Sequence, residues 1–148
     1  MIQIPAKVLI VDDEKDFVEM FSLRLQEAGQ KVFEAYSGKE CLDMLTERPD
    51  IDVVVLDIKM PGMDGIETLQ QIKKKFPIVE VILLTGHGTI ETAVEGMRLG
   101  AYDYLLKPAD FEDFKTKLER ARKRKDEQEE RIRKAEQRAM IRKSGEVY

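Results

Sequence analysis

Residues 53–57 read Val-Val-Val-Leu-Asp, and this stretch decides the fold. Four apolar residues follow one another without a polar interruption, then an acid ends the run. A strand with one solvated face would alternate apolar and polar residues. An apolar run without alternation is how a strand buried on both faces of a parallel sheet reads. Four further runs punctuate the chain: Lys7–Val11, Val32–Ala35, Val79–Leu84 and Tyr104–Leu106. Three of the five are rich in Val and Ile with little alternation.

Helical patterns fill the gaps between these runs. Phe17, Phe21, Leu25 and Ala28 recur at near-helical spacing, and Gly29 ends that helix. Ser37 and Glu40 make an S-x-x-E capping pattern ahead of Cys41, Leu42, Met44 and Leu45, and Pro49 stops the segment. Ile66, Leu69 and Ile72 mark a third helix that ends near Pro77. Ile90, Ala93, Val94 and Met97 form a stripe closed by Gly100. Asp110 is placed to cap a fifth helix lined by Phe111, Phe114, Leu118 and Ala121. Five strands alternating with five helices predict an α/β fold: a parallel sheet covered on both faces, with right-handed crossovers.

Composition narrows the function. No apolar run approaches the roughly 20 residues of a membrane helix. The start, MIQIPAKVLIVDD, lacks the features of a signal peptide, so no membrane association is expected. The single cysteine, Cys41, leaves no internal disulfide framework and points to a reducing, cytoplasmic setting. Residues 123–148 carry nine Lys/Arg and six Asp/Glu, a net of +3, and the rest of the chain holds −7 of the total −4. An acidic body does not suggest direct nucleic-acid binding.

The division expected is a domain over residues 1–122 and a charged helical extension over 123–148. From Lys115 to Lys143 there is neither Gly nor Pro. Positions 111, 114, 118, 121, 125, 128, 132, 135 and 139 follow alternating three- and four-residue steps, a heptad seam with a polar middle. Two readings stand side by side: a solvated helix fraying beyond about Arg124, or a coiled coil that forms a homodimer.

In an open parallel sheet, ligands bind outside the carboxyl ends of the strands. The first run ends in Asp12, Asp13 and Glu14, the third in Asp57, the fourth in Thr85 and the fifth in Lys107. Crowded carboxylates repel one another, and a divalent cation removes the conflict. An all-oxygen set without thiolate or imidazole suits Mg²⁺. With the charge relieved, a carboxylate can attack phosphorus to give an acyl phosphate. Lys107 and the Thr85 hydroxyl can then hold phosphoryl oxygens. Taken singly, each residue has a plainer reading: an acid after a strand as a helix cap, Lys-Pro as a turn, Thr-Gly as loop. Their joint placement at four strand ends favours the chemical one.

These segments, VLIVDDE (8–14), VVVLDIKMPGMDG (53–65), ILLTGHGTIETA (82–93) and GAYDYLLKP (100–108), resemble the receiver domain of bacterial two-component response regulators. The resemblance covers about residues 6–122, and its wording is most similar to receivers of σ54-type transcription activators. It implies a flavodoxin-like, doubly wound five-stranded sheet in the order 2-1-3-4-5. It implies Asp57 as phosphoacceptor, with Asp13 and Asp57 ligating Mg²⁺, Asp12 acting largely through water, and the backbone carbonyl of Lys59 as a further ligand. Thr85 and Lys107 would contact the phosphoryl group, and Tyr104 would turn inward as Thr85 moves. A cis peptide before Pro108 is also implied. The implied phosphodonor is a sensor histidine kinase or a phosphotransfer protein, and the implied protein is a switch rather than an enzyme. Two alternatives are a metal-dependent phosphohydrolase working through an aspartyl phosphate, and a dimerising interaction module with a vestigial pocket. His87, the one histidine, reads as an exposed loop residue beside the pocket.

Overall fold

The structure, a computed structural model, describes residues 4–145. In chain order the elements are β1 (Lys7–Val11), α1 (Lys15–Glu27), β2 (Lys31–Ala35), α2 (Gly38–Glu47), β3 (Val53–Leu56), α3 (Gly65–Lys75), β4 (Glu80–Thr85), α4 (Ile90–Arg98), β5 (Asp103–Leu106) and α5 (Phe111–Gly145). All neighbouring strand pairs are parallel, and the order is β2-β1-β3-β4-β5, as expected.

The missing alternation in the strands now has its explanation. Val8, Ile10, Val53, Val55, Ile82 and Leu84 enter one apolar layer with Val18, Phe21 and Leu25 of α1 and Phe114 and Leu118 of α5. Their sequence neighbours Leu9, Val11, Val54, Leu56, Val81 and Leu83 enter the other, with Cys41 and Leu45 of α2 and Leu69 and Ile72 of α3. Period two still governs the side chains, but both faces are dry. Helix starts follow local chemistry. The side chains of Ser37 and Asp64 accept the backbone N–H of Glu40 and Glu67, and Asp110 accepts that of Asp113 at 3.0 Å. Each satisfies a donor that the first helical turn leaves unpaired. Gly29, with φ +89°, turns the chain out of α1.

Helix α4 forms where its apolar stripe predicts, but the stripe faces out. Ile90 is 85% exposed, and Val94 and Met97 are also exposed. The residue α4 buries is Gly96, where a Cβ would run into Leu83. A glycine contact brings the helix backbone close to β4 and turns its larger side chains away.

Helix α5 runs unbroken to Gly145, and its packed face reaches further than its apolar residues do. Phe114, Leu118, Ala121 and Lys125 are buried. The Lys125 ammonium sits 2.9 Å from Asp52 Oδ1 and 2.6 Å from Glu129 Oε2. Asp52 Oδ2 also accepts the Lys7 N–H at 2.9 Å. Beside this cluster the buried Glu80 takes Lys73 at 3.1 Å and pairs with the Arg124 guanidinium. The polar middle of the heptad seam is therefore, at Lys125, an ion pair with the lower rim of the sheet.

Burial lowers the Lys125 pKa, but hydrogen bonds to Glu129 and Asp52 and their charges outweigh it, so the net shift is upward. A raised lysine contributes stability that is full below its unfolded-state value and is lost only as pH rises through the folded one. The pair is thus constant across neutral pH. Lys125→Met leaves Asp52 buried without its cation and should cost about 3 kcal/mol. The double variant Lys125→Met/Asp52→Leu should recover most of that loss. Urea unfolding of the three chains at pH 7 measures both.

Candidate functional site

The strand register assembles the site. Val11 pairs with Leu56, so Asp12 and Asp57 leave neighbouring strands side by side. Leu56 pairs with Leu83 and Thr85 with Leu106, which brings Thr85 and Lys107 to the same rim. The backbone supports this placement: Asp57 N–H donates to the Val11 carbonyl at 3.0 Å, and Lys107 N–H to that of Thr85 at 2.9 Å.

At the rim the carboxylates of Asp12, Asp13 and Asp57 offer oxygens that all lie within 4.8 Å of one another. Asp12 and Asp57 are 1% and 2% exposed, while Asp13 is open to solvent. The Asp12 carboxylate is fixed at both ends. Oδ2 accepts from the Lys107 ammonium at 2.6 Å, and Oδ1 from the Glu14 N–H at 3.0 Å. Asp57 Oδ1 accepts the Ile58 N–H at 2.8 Å. Thr85 is fully buried, and its Oγ1 accepts the His87 N–H at 3.0 Å. The cluster opens into a cavity of about 380 Å³ lined by Asp13, Glu14, Lys59, Met60, Pro61 and His87.

Burial pushes the Asp57 carboxyl up from the usual range. A hydrogen bond from Thr85 opposes this, the Asp12 charge adds to it, and the Lys107 ammonium and the Ile58 N–H oppose it again. Two acids this close, one of them already raised, form a site that gains from a cation. The donors are oxygens throughout, which fits a hard divalent ion such as Mg²⁺.

Asp12, Asp13, Asp57, Thr85 and Lys107 thus come together, with Lys59 and His87 on the cavity wall. Tyr104 does not join them; its hydroxyl meets Thr92 Oγ1 of α4 at 2.9 Å. The Lys107–Pro108 peptide is cis. Three contributors carry no role in the sequence reading. Glu14 Oε1 stands 3.7 Å from the Lys107 ammonium. The Phe17 ring lies under the same ammonium, with 3.9 Å from Nζ to the centroid. Gly65 donates its N–H to the Ile58 carbonyl at 2.7 Å, where a Cβ would strike the Asp57 backbone. Phe17 was legible only as part of the apolar stripe of α1 with Phe21 and Leu25, and nothing in that spacing points to Lys107.

A family model described as the response regulator receiver domain matches residues 8–119. The chain belongs to this family. The receiver is 42% identical over 116 residues to a putative NtrX-like response regulator of Rickettsia bellii, covering 77% of this chain and 24% of that protein. It is 40% identical over 114 residues to the transcriptional regulatory protein ZraR of Escherichia coli O157:H7, covering 77% and 26%. A receiver domain protein from Clostridium thermocellum has a solved structure that superposes with a TM-score of 0.78 at 39% identity, covering 82% of this chain and 97% of that one. The chain spans about a quarter of the length of the curated relatives it matches. Among the described residues, no helix is long and apolar enough to cross a membrane. Receivers of this family take a phosphoryl group on an aspartate and regulate a downstream partner.

The raised Asp57 carboxyl has a consequence for stability. Its ionised form is disfavoured in the folded state, so the penalty is absent below the unfolded-state pKa, grows as pH rises past it and is complete above the folded one. In metal-free receiver at pH 7, Asp57→Asn should raise the thermal midpoint, because the amide carries no charge to desolvate. The gain should fade toward pH 3, and Mg²⁺ at pH 7 should stabilise the original chain more than the variant. Circular dichroism melts with and without chelator check all three.

Proposed function

We propose that Asp57 is the phosphoacceptor of this receiver and that the phosphoryl group comes from a phosphohistidine on a sensor histidine kinase or a phosphotransfer protein. The observation that carries this is the meeting of Asp57 with two further carboxylates and the Lys107 ammonium at one rim. A carboxylate oxygen of Asp57 bonds to phosphorus as the P–N bond breaks, and the imidazole nitrogen leaves with the electron pair.

Asp13, Asp57 and the backbone carbonyl of Lys59 would hold Mg²⁺, with Asp12 acting largely through water. When bound, the ion offsets the carboxylate charge and attracts phosphoryl oxygens. Lys107 then exchanges its contact with Asp12 for a phosphoryl oxygen, and the Thr85 hydroxyl donates to another. As Thr85 shifts, Tyr104 leaves Thr92 and turns inward, so the phosphate biases a two-state equilibrium expressed at α4. The exposed Ile90, Val94 and Met97 offer the surface a downstream partner would read. A second copy of the chain, met along the α5 seam at 128, 132, 135 and 139, is a further route of output. In this reading the chain works in the cytoplasm and catalyses only its own phosphorylation and dephosphorylation.

The test is incubation with Mg²⁺ and a small phosphodonor. Intact-mass spectrometry should show a gain of one phosphoryl group, labile to hydroxylamine. Asp57→Asn should abolish the gain, and Lys107→Ala should slow it by at least ten-fold, as expected for loss of a charge-stabilising group. Labelling that persists in Asp57→Asn, or steady turnover of phosphomonoesters by the unaltered chain, would contradict the proposal.

A further inference from the structure

We propose that the ring of Phe17 is the seat of the Lys107 ammonium, which makes Phe17 a positioning residue for the phosphoryl chemistry; this rests on the phosphoacceptor reading above. Lys107 carries a compact charge on a four-carbon stem whose freedom is expensive to lose. Its carboxylate partners, Asp12 at 2.6 Å and Glu14 at 3.7 Å, hold it from one side. The Phe17 ring holds it from another, at 3.9 Å from Nζ to the centroid. The other cation–ring contacts among the described residues are longer, from 4.2 to 6.0 Å.

The ring is itself anchored. It stacks on Phe21 with centroids 5.3 Å apart and an interplanar angle of 18°. Phe21 in turn meets Phe114 edge-on, at 4.9 Å and 71°. The face under Lys107 is therefore set by packing between α1 and α5.

An aromatic seat suits a cation that must change partners. Its attraction comes from the ring quadrupole, spreads across the face and carries no net charge. A third carboxylate there would oppose an incoming phosphoryl group. An aliphatic residue would fill the space and leave the ammonium unguided. The ring allows Nζ to shift from Asp12 toward an anion on Asp57 without losing its support.

The test uses the full chain, its Phe17→Leu and Phe17→Tyr variants, Mg²⁺ and a small phosphodonor. Two readings are taken: the initial rate of Asp57 labelling, and the ring-current shift of the Lys107 Cε protons in NMR spectra. Phe17→Leu should lower the rate about five-fold, the factor a cation–π contact of ordinary strength carries, and should remove the upfield shift. Phe17→Tyr should keep both near the original values. A labelling rate in Phe17→Leu equal to that of the original chain overturns the proposal. So does a Phe17→Tyr variant as slow as Phe17→Leu. The NMR reading on the unaltered chain stands apart from any folding defect in the variants, and absence of the shift there overturns the seat directly. If the original chain shows the shift and takes no label, the seat is supported and the phosphoacceptor reading is what fails.

Discussion

The ion pair between Lys107 and Asp12 is the constraint on which the site depends. The two residues are 95 positions apart and leave strands separated in the sheet by β3 and β4. Their 2.6 Å contact needs four parallel strands, β1, β3, β4 and β5, in register, with a side chain long enough to reach over the rim. It also sets the electrostatics of the pocket. Three carboxylates within 4.8 Å would repel strongly, and one ammonium offsets part of that charge. What remains is negative and, at Asp12 and Asp57, buried, a site that gains from a divalent cation and afterwards has a lysine at hand for an anion.

The fold was legible because burial on both sides of a parallel sheet leaves a mark that little else imitates. Val53–Leu56 could be read as a central strand from four letters, and the strand ends then located Asp12, Asp57, Thr85 and Lys107 without further structure. Strand limits shifted by a residue: Lys31 and Asp103 join β2 and β5, and β4 runs Glu80–Thr85 rather than Val79–Leu84. Periodicity could not give orientation. Ile90, Val94 and Met97 form the apolar stripe of α4, yet they face solvent, because a single glycine contact at Leu83 decides which side of the helix approaches the sheet. Nor could it give partners between distant charges. Lys125 reads as a weak position in a heptad, and only its meeting with Asp52 shows why a lysine stands there.

That pairing changes how the long helix is understood. Ala121 is the last apolar residue before the polar middle of the seam, which suggests a helix that leaves the domain at about that point. Instead Arg124 and Lys125 bind acids at the lower rim, Glu80 and Asp52, both nearly inaccessible to solvent. A buried pair contributes little over a well-packed apolar contact, but breaking it by loss of one partner is costly. The arrangement therefore favours one register and direction for the helix more than it adds to stability. Beyond Glu129 the helix inherits its direction from this clamp.

The two helices that flank β5 are held to the sheet very differently. Helix α5 buries Phe114, Leu118, Ala121 and Lys125, and its start is tied to α1 through the edge-on contacts of Phe21 with Phe111 and Phe114. Helix α4 buries Gly96, and a hydroxyl pair joins Thr92 to Tyr104. Local opening is governed by how much apolar area and how many fixed partners must be given up. On that measure α4 moves at lower cost than α5. Thr92 deepens the contrast, since its side chain also closes the N-terminal capping box with Thr89. The one polar contact between Tyr104 and α4 is thus shared with the residue that caps the helix. A shift of Tyr104 toward Thr85 would release a hydroxyl already engaged in the cap and leave no orphaned group behind. On the reading proposed for Asp57, the energy of binding a phosphoryl group at the upper rim is spent where resistance is least, on the helix that displays its apolar side chains to solvent.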